Sequence, residues 1–166
     1  MADTTELATL TGVLNGKRAH VMEILEGLDE EALRRPVLPS GWTCLGLVHH
    51  LALDDEKFWF RAVAAGEPAA IEEILGAADD AWHPSAELTA EQVFARYREE
   101  SARADAVLAG ADLDAAPAWW PDFFGGWRYD TLREVVLHVI TETATHAGHL
   151  DAVRELIDGR QRLVLG

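Results

Sequence analysis

A carboxylate and an imidazole lie one helical turn apart in the last strongly periodic segment of the sequence. Glu142 and His146 are four residues apart, so in a helix their side chains project from the same face. That face coincides with an apolar stripe made of Leu132, Val135, Val139, Val153 and Ile157. A carboxylate directed toward a core is costly unless it is paired. The spacing therefore indicates either a buried Glu–His hydrogen bond or a metal ion held by both side chains.

A second helix offers a further imidazole. His49 and His50 are adjacent, so in a helix they point about 100° apart. His50 follows Leu47 by three residues and precedes Asp54 by four, which places it at the edge of the apolar face. This periodicity favours His50 over His49 as the histidine that faces inward.

The set of His50, Glu142 and His146 has the ligand types of a catalytic metal site. Two histidines and a carboxylate with an open position are typical of catalytic zinc. Nickel, iron and cobalt also suit these ligands, so we expect a divalent ion with zinc as the first candidate. His138 and His149 flank the pair on the last helix. For each of them three interpretations stay open, namely third ligand, hydrogen-bond partner of a ligand, or boundary residue.

Four long amphipathic segments must position these side chains. They run from about Thr5 to Gly27, from Ser40–Thr43 to about Ala65, from Thr89 to Gly110 and from Thr131 to Gly159. Short helices are expected over Asp29–Arg34 and Ala69–Leu75. No segment alternates with period two over a length that would build a sheet. We predict an all-α fold, an up-and-down four-helix bundle with one or two long connections, as a single domain spanning residues 1–166.

Composition excludes several classes of partner. The chain carries 14 Lys and Arg against 29 Asp and Glu, a formal net charge of −15, which would repel nucleic acid and anionic membrane surfaces. No apolar run has the length of a membrane span. One cysteine, Cys44, permits neither an internal disulfide nor a Cys-rich zinc site. The first 16 residues lack a signal-peptide pattern, so a cytoplasmic protein with a small-molecule substrate is expected.

Two groups of motifs resemble the DinB-like superfamily of helical bundles. The motifs are Gly41–Thr43, Val48–Ala52 and Asp54–Trp59 on the second helix, and His138–Ile140, Glu142 and His146–His149 on the last. The resemblance covers essentially the whole chain in helix order and length. It implies a four-helix bundle with a divalent-metal site between helices. It also implies that His50, the histidine before a Leu-Ala pair, is the first ligand.

Glu142 associates the chain with one branch of that superfamily. Many members carry His-x-x-x-His on the last helix, whereas this chain has Glu142 followed by His146. A glutamate there is similar to the mycothiol-dependent branch, which includes maleylpyruvate isomerase. The likeness implies a metal-dependent enzyme that transfers or adds a low-molecular-weight thiol, such as mycothiol, to a small electrophile. The alternative is a non-catalytic metal- or ligand-binding bundle of a stress-related kind.

Catalytic roles follow for two side chains beside the expected ligands. Asp54 lies one turn after His50, where it would orient the imidazole or act as a base; a solvated acid is the alternative. His149 would donate a hydrogen bond to Glu142 or carry a proton.

Binding of a thiol cofactor requires a roomy pocket with basic groups near its mouth. Arg61, Arg128 and Arg133 are the candidates for those groups. The aromatic segment from Trp119 to Trp127 has two interpretations. It forms a pocket wall, with Trp127 in contact with the cofactor, or it packs over a bundle end or the face of a homodimer.

Overall fold

The computed structural model describes residues 4–77 and 80–162, which form helices joined by irregular segments, with no β-strand among them. The helices are α1 (Thr4–Ile24), α2 (Glu30–Arg34), α3 (Cys44–His50 continued by Leu51–Ala64), α4 (Pro68–Gly76), α5 (Ala90–Leu108) and α6 (Leu132–Asp158). A 3-10 turn, Asp122–Phe124, lies between α5 and α6. The all-α prediction is thus confirmed for the described residues. None of the described helices is both long and apolar enough to cross a membrane.

Local sequence signals set the ends of the two C-terminal long helices. The Thr89 hydroxyl accepts the N–H of Gln92, whose side chain accepts the N–H of Thr89. Thr131 and Glu134 repeat this reciprocal arrangement at the start of α6. Gly159 ends α6 with φ of 78°, a left-handed conformation that favours glycine. Both capping boxes expected from the sequence are therefore present.

Helix α3 changes its winding after His50. Cys44–His50 is an α-helix, whereas Leu51–Ala64 is a π-helix, in which each N–H bonds to a carbonyl five residues back. Twelve of the fourteen π-helical residues are buried. They pack mainly against α5, α6 and α4. The sequence predicted the length of this helix but not its wider winding, because its apolar residues are distributed around most of the circumference.

A bidentate ion pair connects α1 to the buried part of α3. Glu56 is fully buried, and Arg18 donates to its two carboxylate oxygens from Nε and Nη2 at 2.6 and 2.5 Å. Arg18 also donates to Asp105 on α5 at 2.6 Å. Burial raises the pKa of Glu56, and Arg18 opposes that rise. The charge of Glu56 is therefore compatible with burial only while Arg18 is present.

A glycine lets the segment before α5 approach the start of α3. A Cβ at Gly46 would lie 2.1 Å from the carbonyl oxygen of Trp82, so no other residue fits there without movement of the backbone. Nearby, the Nδ1 atom of His49 lies 2.7 Å from the carbonyl oxygen of Ala81. These two contacts fix the position of Trp82 above α3.

Replacing Gly46 by alanine should destabilise the protein by about 1–3 kcal/mol, because the new methyl group overlaps a backbone oxygen. The measurement is urea denaturation. Gly12 in α1 is the matched control, since a Cβ there would meet nothing within 4 Å. Gly12→Ala should stabilise by about 0.5–1 kcal/mol through helix propensity. Equal stability of Gly46→Ala and the unmodified protein would contradict the close approach.

Replacing Arg18 by methionine should cost about 3–5 kcal/mol, since it leaves Glu56 buried without a cation. Adding Glu56→Met should recover most of that loss, because the unpaired charge is then removed. The exposed pair of Arg103 and Glu99 on α5 serves as control, and Arg103→Met should change stability little. A double variant no more stable than Arg18→Met would show that Arg18 acts through packing rather than charge.

Candidate functional site

A cleft of about 440 Å³ opens between α3, α4, α6 and the 3-10 turn, within the size range of small-ligand sites. Its lining consists of His50, Asp54, Asp55, Phe58 and Trp59 from α3, Ile74 from α4, Phe123 and Phe124 from the turn, and His138 and Glu142 from α6. The residues from α3 are spaced by four and five. Hydrogen bonds that span five residues keep such spacings on one face, so the π-helix builds this wall of the cleft.

His50 lies at one end of the cleft and is held on two sides. Its Nδ1 atom is 2.8 Å from the Oδ2 atom of Asp54. Its ring stacks on Trp82 with a centroid distance of 4.1 Å and an interplanar angle of 19°. An ionised carboxylate can only accept a hydrogen bond, so Nδ1 carries the hydrogen in the neutral tautomer and the lone pair is on Nε2. Asp54 thus contacts His50 as the sequence predicted.

His146 meets His50 from α6. The two rings meet edge to face at 78°, with centroids 5.2 Å apart. The Nδ1 atom of His146 lies 3.4 Å from Nδ1 of His149, whereas Nε2 lies 3.6 Å from Oε2 of Glu142. The pKa of His146 is lowered to about 4, mainly by burial and to a smaller extent by the positive charge that His50 and His149 can carry. His146 is therefore neutral at physiological pH and has a nitrogen lone pair to offer.

The prediction that Glu142 belongs to the buried stripe of α6 is wrong. Its side chain is 37% exposed, whereas Val139, Thr143 and His146 are buried. At 100° per residue Glu142 lies about 60° from Val139, on the flank that also carries His138. Glu142 therefore faces the cleft and is partly exposed to solvent. The free-energy cost of desolvating its charge is thus smaller than the sequence pattern indicated.

The donor types at this end of the cleft are suitable for a divalent cation. Two metal–ligand bonds of about 2.1 Å at a tetrahedral angle place their donor atoms about 3.4 Å apart, close to the 3.6 Å between His146 and Glu142. Asp54 engages the second nitrogen of His50, as is usual for a metal-ligating histidine. In residues 4–77 and 80–162, however, no three His, Cys, Asp or Glu side chains converge closely enough to hold an ion. The metal site therefore stays a prediction.

Two further titratable groups line the cleft. Burial raises the pKa of Asp55 well above its usual range, and the charges of Glu142, Glu56 and Asp54 add to that rise. Burial lowers the pKa of His138, although the negative charge of Glu142 opposes this. Both shifts favour neutral side chains.

The other two histidines of interest are separated from the cleft. His49 is more buried than His50, but it faces the segment before α5 and bonds to Ala81. His149 is exposed and contacts His146, so the structure does not bring it to Glu142 as a hydrogen-bond donor. Its expected part in proton transfer thus concerns His146.

The predicted cofactor-binding side chains lie in different surroundings. Arg61 is buried, and its guanidinium donates to Glu67 and Glu100 at 2.5–2.9 Å, which leaves it no free edge for a cofactor. Arg128 is exposed, with its guanidinium carbon 6.0 Å from the ring centre of Trp120. Trp127 is 48% exposed and packs edge-on against Trp120. The structure therefore brings Arg128 and Trp127 together on one aromatic surface and places Arg61 elsewhere.

Sequence reasoning missed Asp55 and Trp82. Asp55 was visible only as the neighbour of Asp54, and α-helical periodicity directs it away from His50, whereas the π-helix directs both acids to the cleft. Trp82 stacks on a ring 32 positions earlier in the chain, and no local pattern signals such a contact.

The pKa of His146 makes a specific pH dependence of stability predictable for protein treated with chelator. Between pH 6.5 and 4 the unfolded chain takes up a proton that folded His146 does not, so stability should fall as the pH falls, by up to about 3 kcal/mol. His146→Gln should lack this component in urea titrations at several pH values. His83→Gln is the control, because His83 is exposed. Parallel profiles for the unmodified protein and His146→Gln would contradict the buried neutral imidazole.

Comparison with known proteins shows which family the chain belongs to. A family model described as mycothiol-S-transferase matches residues 9–159, which include every residue that lines the cleft. Searches of the curated proteins and of the solved structures found no match. The match covers most of the 166 residues and agrees with the resemblance to the mycothiol-dependent, DinB-like branch. The chain belongs to the mycothiol-S-transferase family of the DinB-like superfamily.

Proposed function

We propose that the chain is an enzyme that transfers a low-molecular-weight thiol, mycothiol first among them, to a small electrophile bound in the cleft. The observation that supports this most is that His146 lies beside both His50 and Glu142, two residues that line a cleft of substrate size. Family membership supports mycothiol as the thiol. In this proposal α1, α3, α5 and α6 form the expected up-and-down four-helix bundle.

The proposal includes one divalent cation held by His50, Glu142 and His146, with zinc as first candidate and nickel, iron or cobalt as alternatives. The two imidazoles and the carboxylate support it by their chemistry and by the 3.6 Å separation of His146 and Glu142. Such a cation, when bound, supplies the positive charge that favours ionisation of a thiol beside it.

The other roles in the proposed mechanism belong to the imidazoles and to the side chains that contact them. Asp54 keeps the proton of His50 on Nδ1, so that Nε2 offers its lone pair. His146 is neutral because burial lowers its pKa, so it can act as a ligand without first releasing a proton. We assign to the exposed His149 the transfer of the thiol proton to solvent, and its ring nitrogen, 3.4 Å from that of His146, also helps to hold the His146 ring in place.

Aromatic side chains form the part of the cleft where the electrophile would bind. Phe58, Trp59 and Phe124 pack together there and exclude water from one wall. Water exclusion favours attack by the thiolate over competing hydrolysis. Arg128 and Trp127 keep a proposed role in binding the thiol cofactor. The ion pairs of Arg61 instead support a structural role for that residue.

Metal-loaded protein should consume mycothiol in the presence of N-phenylacrylamide faster than chelator-treated protein, and the rate should rise with pH as the thiol ionises. The measurement is loss of free thiol over time with background subtracted. His146→Ala should abolish the metal-dependent part, because it removes one proposed ligand. His83→Gln should retain it, since His83 is an exposed loop residue.

Two other results of this assay would count against the proposal. Absence of a metal-dependent difference with every thiol and electrophile tried would favour a non-catalytic metal- or ligand-binding bundle. Loss of activity in both variants would show that the effect of His146→Ala is not specific to the site.

A further inference from the structure

We infer that the electrophile bound by this cleft is an aromatic molecule that is neutral or positively charged and carries no carboxylate. This inference rests on the proposed thiol transfer and specifies the substrate class of the same site. It follows from the shape of the cleft wall and from the charges around it.

One wall of the cleft is a set of packed aromatic rings. Phe124 stacks on Trp59 at 6.0 Å with an interplanar angle of 10°, and it meets Phe58 edge-on at 5.9 Å. Phe123 lies 6.3 Å from Phe58 at the rim and is 62% exposed. Flat aromatic ligands gain most from such a surface, because stacked and edge-on contacts add to the burial of apolar area.

Negative side chains predominate around this wall. Asp54 and Glu142 line the cleft as carboxylates beside the neutral Asp55, and the described lining residues include no lysine or arginine. His138 is the imidazole closest to the aromatic wall, with its ring 4.5 Å from that of Trp59. Burial lowers its pKa, so it does not supply a positive charge at neutral pH.

Basic side chains on the surrounding elements form ion pairs with carboxylates. Lys57 pairs with Glu73, Arg61 with Glu67 and Glu100, and Arg133 with Glu6 and Asp114. Arg128 lies over Trp120 and does not line the cleft. A carboxylate on the electrophile would therefore lose hydration without gaining a partner.

The proposed cation does not reverse this balance. Its two positive charges would be offset by Glu142, by the thiolate and by Asp54 beside His50. The ring faces of Phe58, Phe123 and Trp59 also attract cations but not anions. The charge distribution thus distinguishes positive and neutral ligands from negative ones.

Three acrylamides with one reactive centre and different remote charges test the inference: N-phenylacrylamide and its 4-trimethylammonio and 4-carboxylate derivatives. The thiolate adds to the terminal carbon, and a proton from water completes the α-carbon. The corresponding propanamides cannot react, so they report binding alone by titration calorimetry. We expect the neutral and cationic propanamides to bind at least about tenfold more tightly than the carboxylate. The acrylamide rates should follow the same order.

The aromatic rim is tested by Phe123→Ala, which should weaken binding of N-phenylpropanamide about fivefold. Leu156→Ala is the matched control, because Leu156 is also 62% exposed but lies near the end of α6 and does not line the cleft. It should leave the affinity unchanged.

Equal or tighter binding of the carboxylate would overturn the inference, as would failure of all three propanamides to bind. An unchanged affinity in Phe123→Ala would overturn the assignment of the aromatic wall. The expected order of binding without any thiol addition would support the ligand class and contradict thiol transfer, so the two proposals fail separately.

Discussion

Burial of the second half of α3 is the constraint on which the rest of the structure depends. This stretch is enclosed by α4, α5 and α6, so the charged side chains it carries must be paired inside the fold. The pairs are Glu56 with Arg18 from α1, Lys57 with Glu73 from α4, and Arg61 with Glu100 from α5. Each pair specifies how one neighbouring helix packs against α3. Asp55 is different, because its Oδ2 atom has no hydrogen-bond partner among the described residues and the side chain lines the cleft.

Helix α3 also supplies residues of the proposed site. Its α-helical first turns carry His50, and its π-helical continuation places Asp54, Asp55 and the aromatic wall on one face. Helix α6 adds His146 and Glu142 from the other side. Trp82 reaches His50 because Gly46 leaves room for the segment that carries it. The reactive end of the cleft is therefore positioned by backbone packing as well as by side-chain pairing.

Features determined by neighbouring residues were predictable from the sequence. The capping boxes at Thr89 and Thr131 form as their spacing indicates, and Glu142 meets His146 because residues four apart share a helical face. Features determined by distant residues were not predictable. The exposure of Glu142 depends on the cleft that opens beside α6, and its 60° offset from Val139 does not by itself show that a cleft lies on that flank.

The ion pair of Arg61 could not be predicted from the sequence for a similar reason. Its partner Glu100 is 39 positions away on another helix, so an arginine that looks free in the sequence is buried in an ion pair. The π-helical winding of α3 also could not be predicted from the sequence pattern. A helix that is apolar nearly all round shows no stripe that would distinguish the α-helical period from the π-helical one. Family membership, in contrast, follows from motifs along almost the whole chain.

X-ray absorption spectroscopy of zinc-loaded protein, recorded with and without mycothiol, tests the central claim most directly. The account predicts one zinc ion per chain with nitrogen and oxygen neighbours only, and one sulfur neighbour at about 2.3 Å once mycothiol is added. His146→Ala should lose the ion, whereas His83→Gln should keep it. Failure of the unmodified protein to bind zinc, or an unchanged spectrum on addition of mycothiol, would contradict the proposed site.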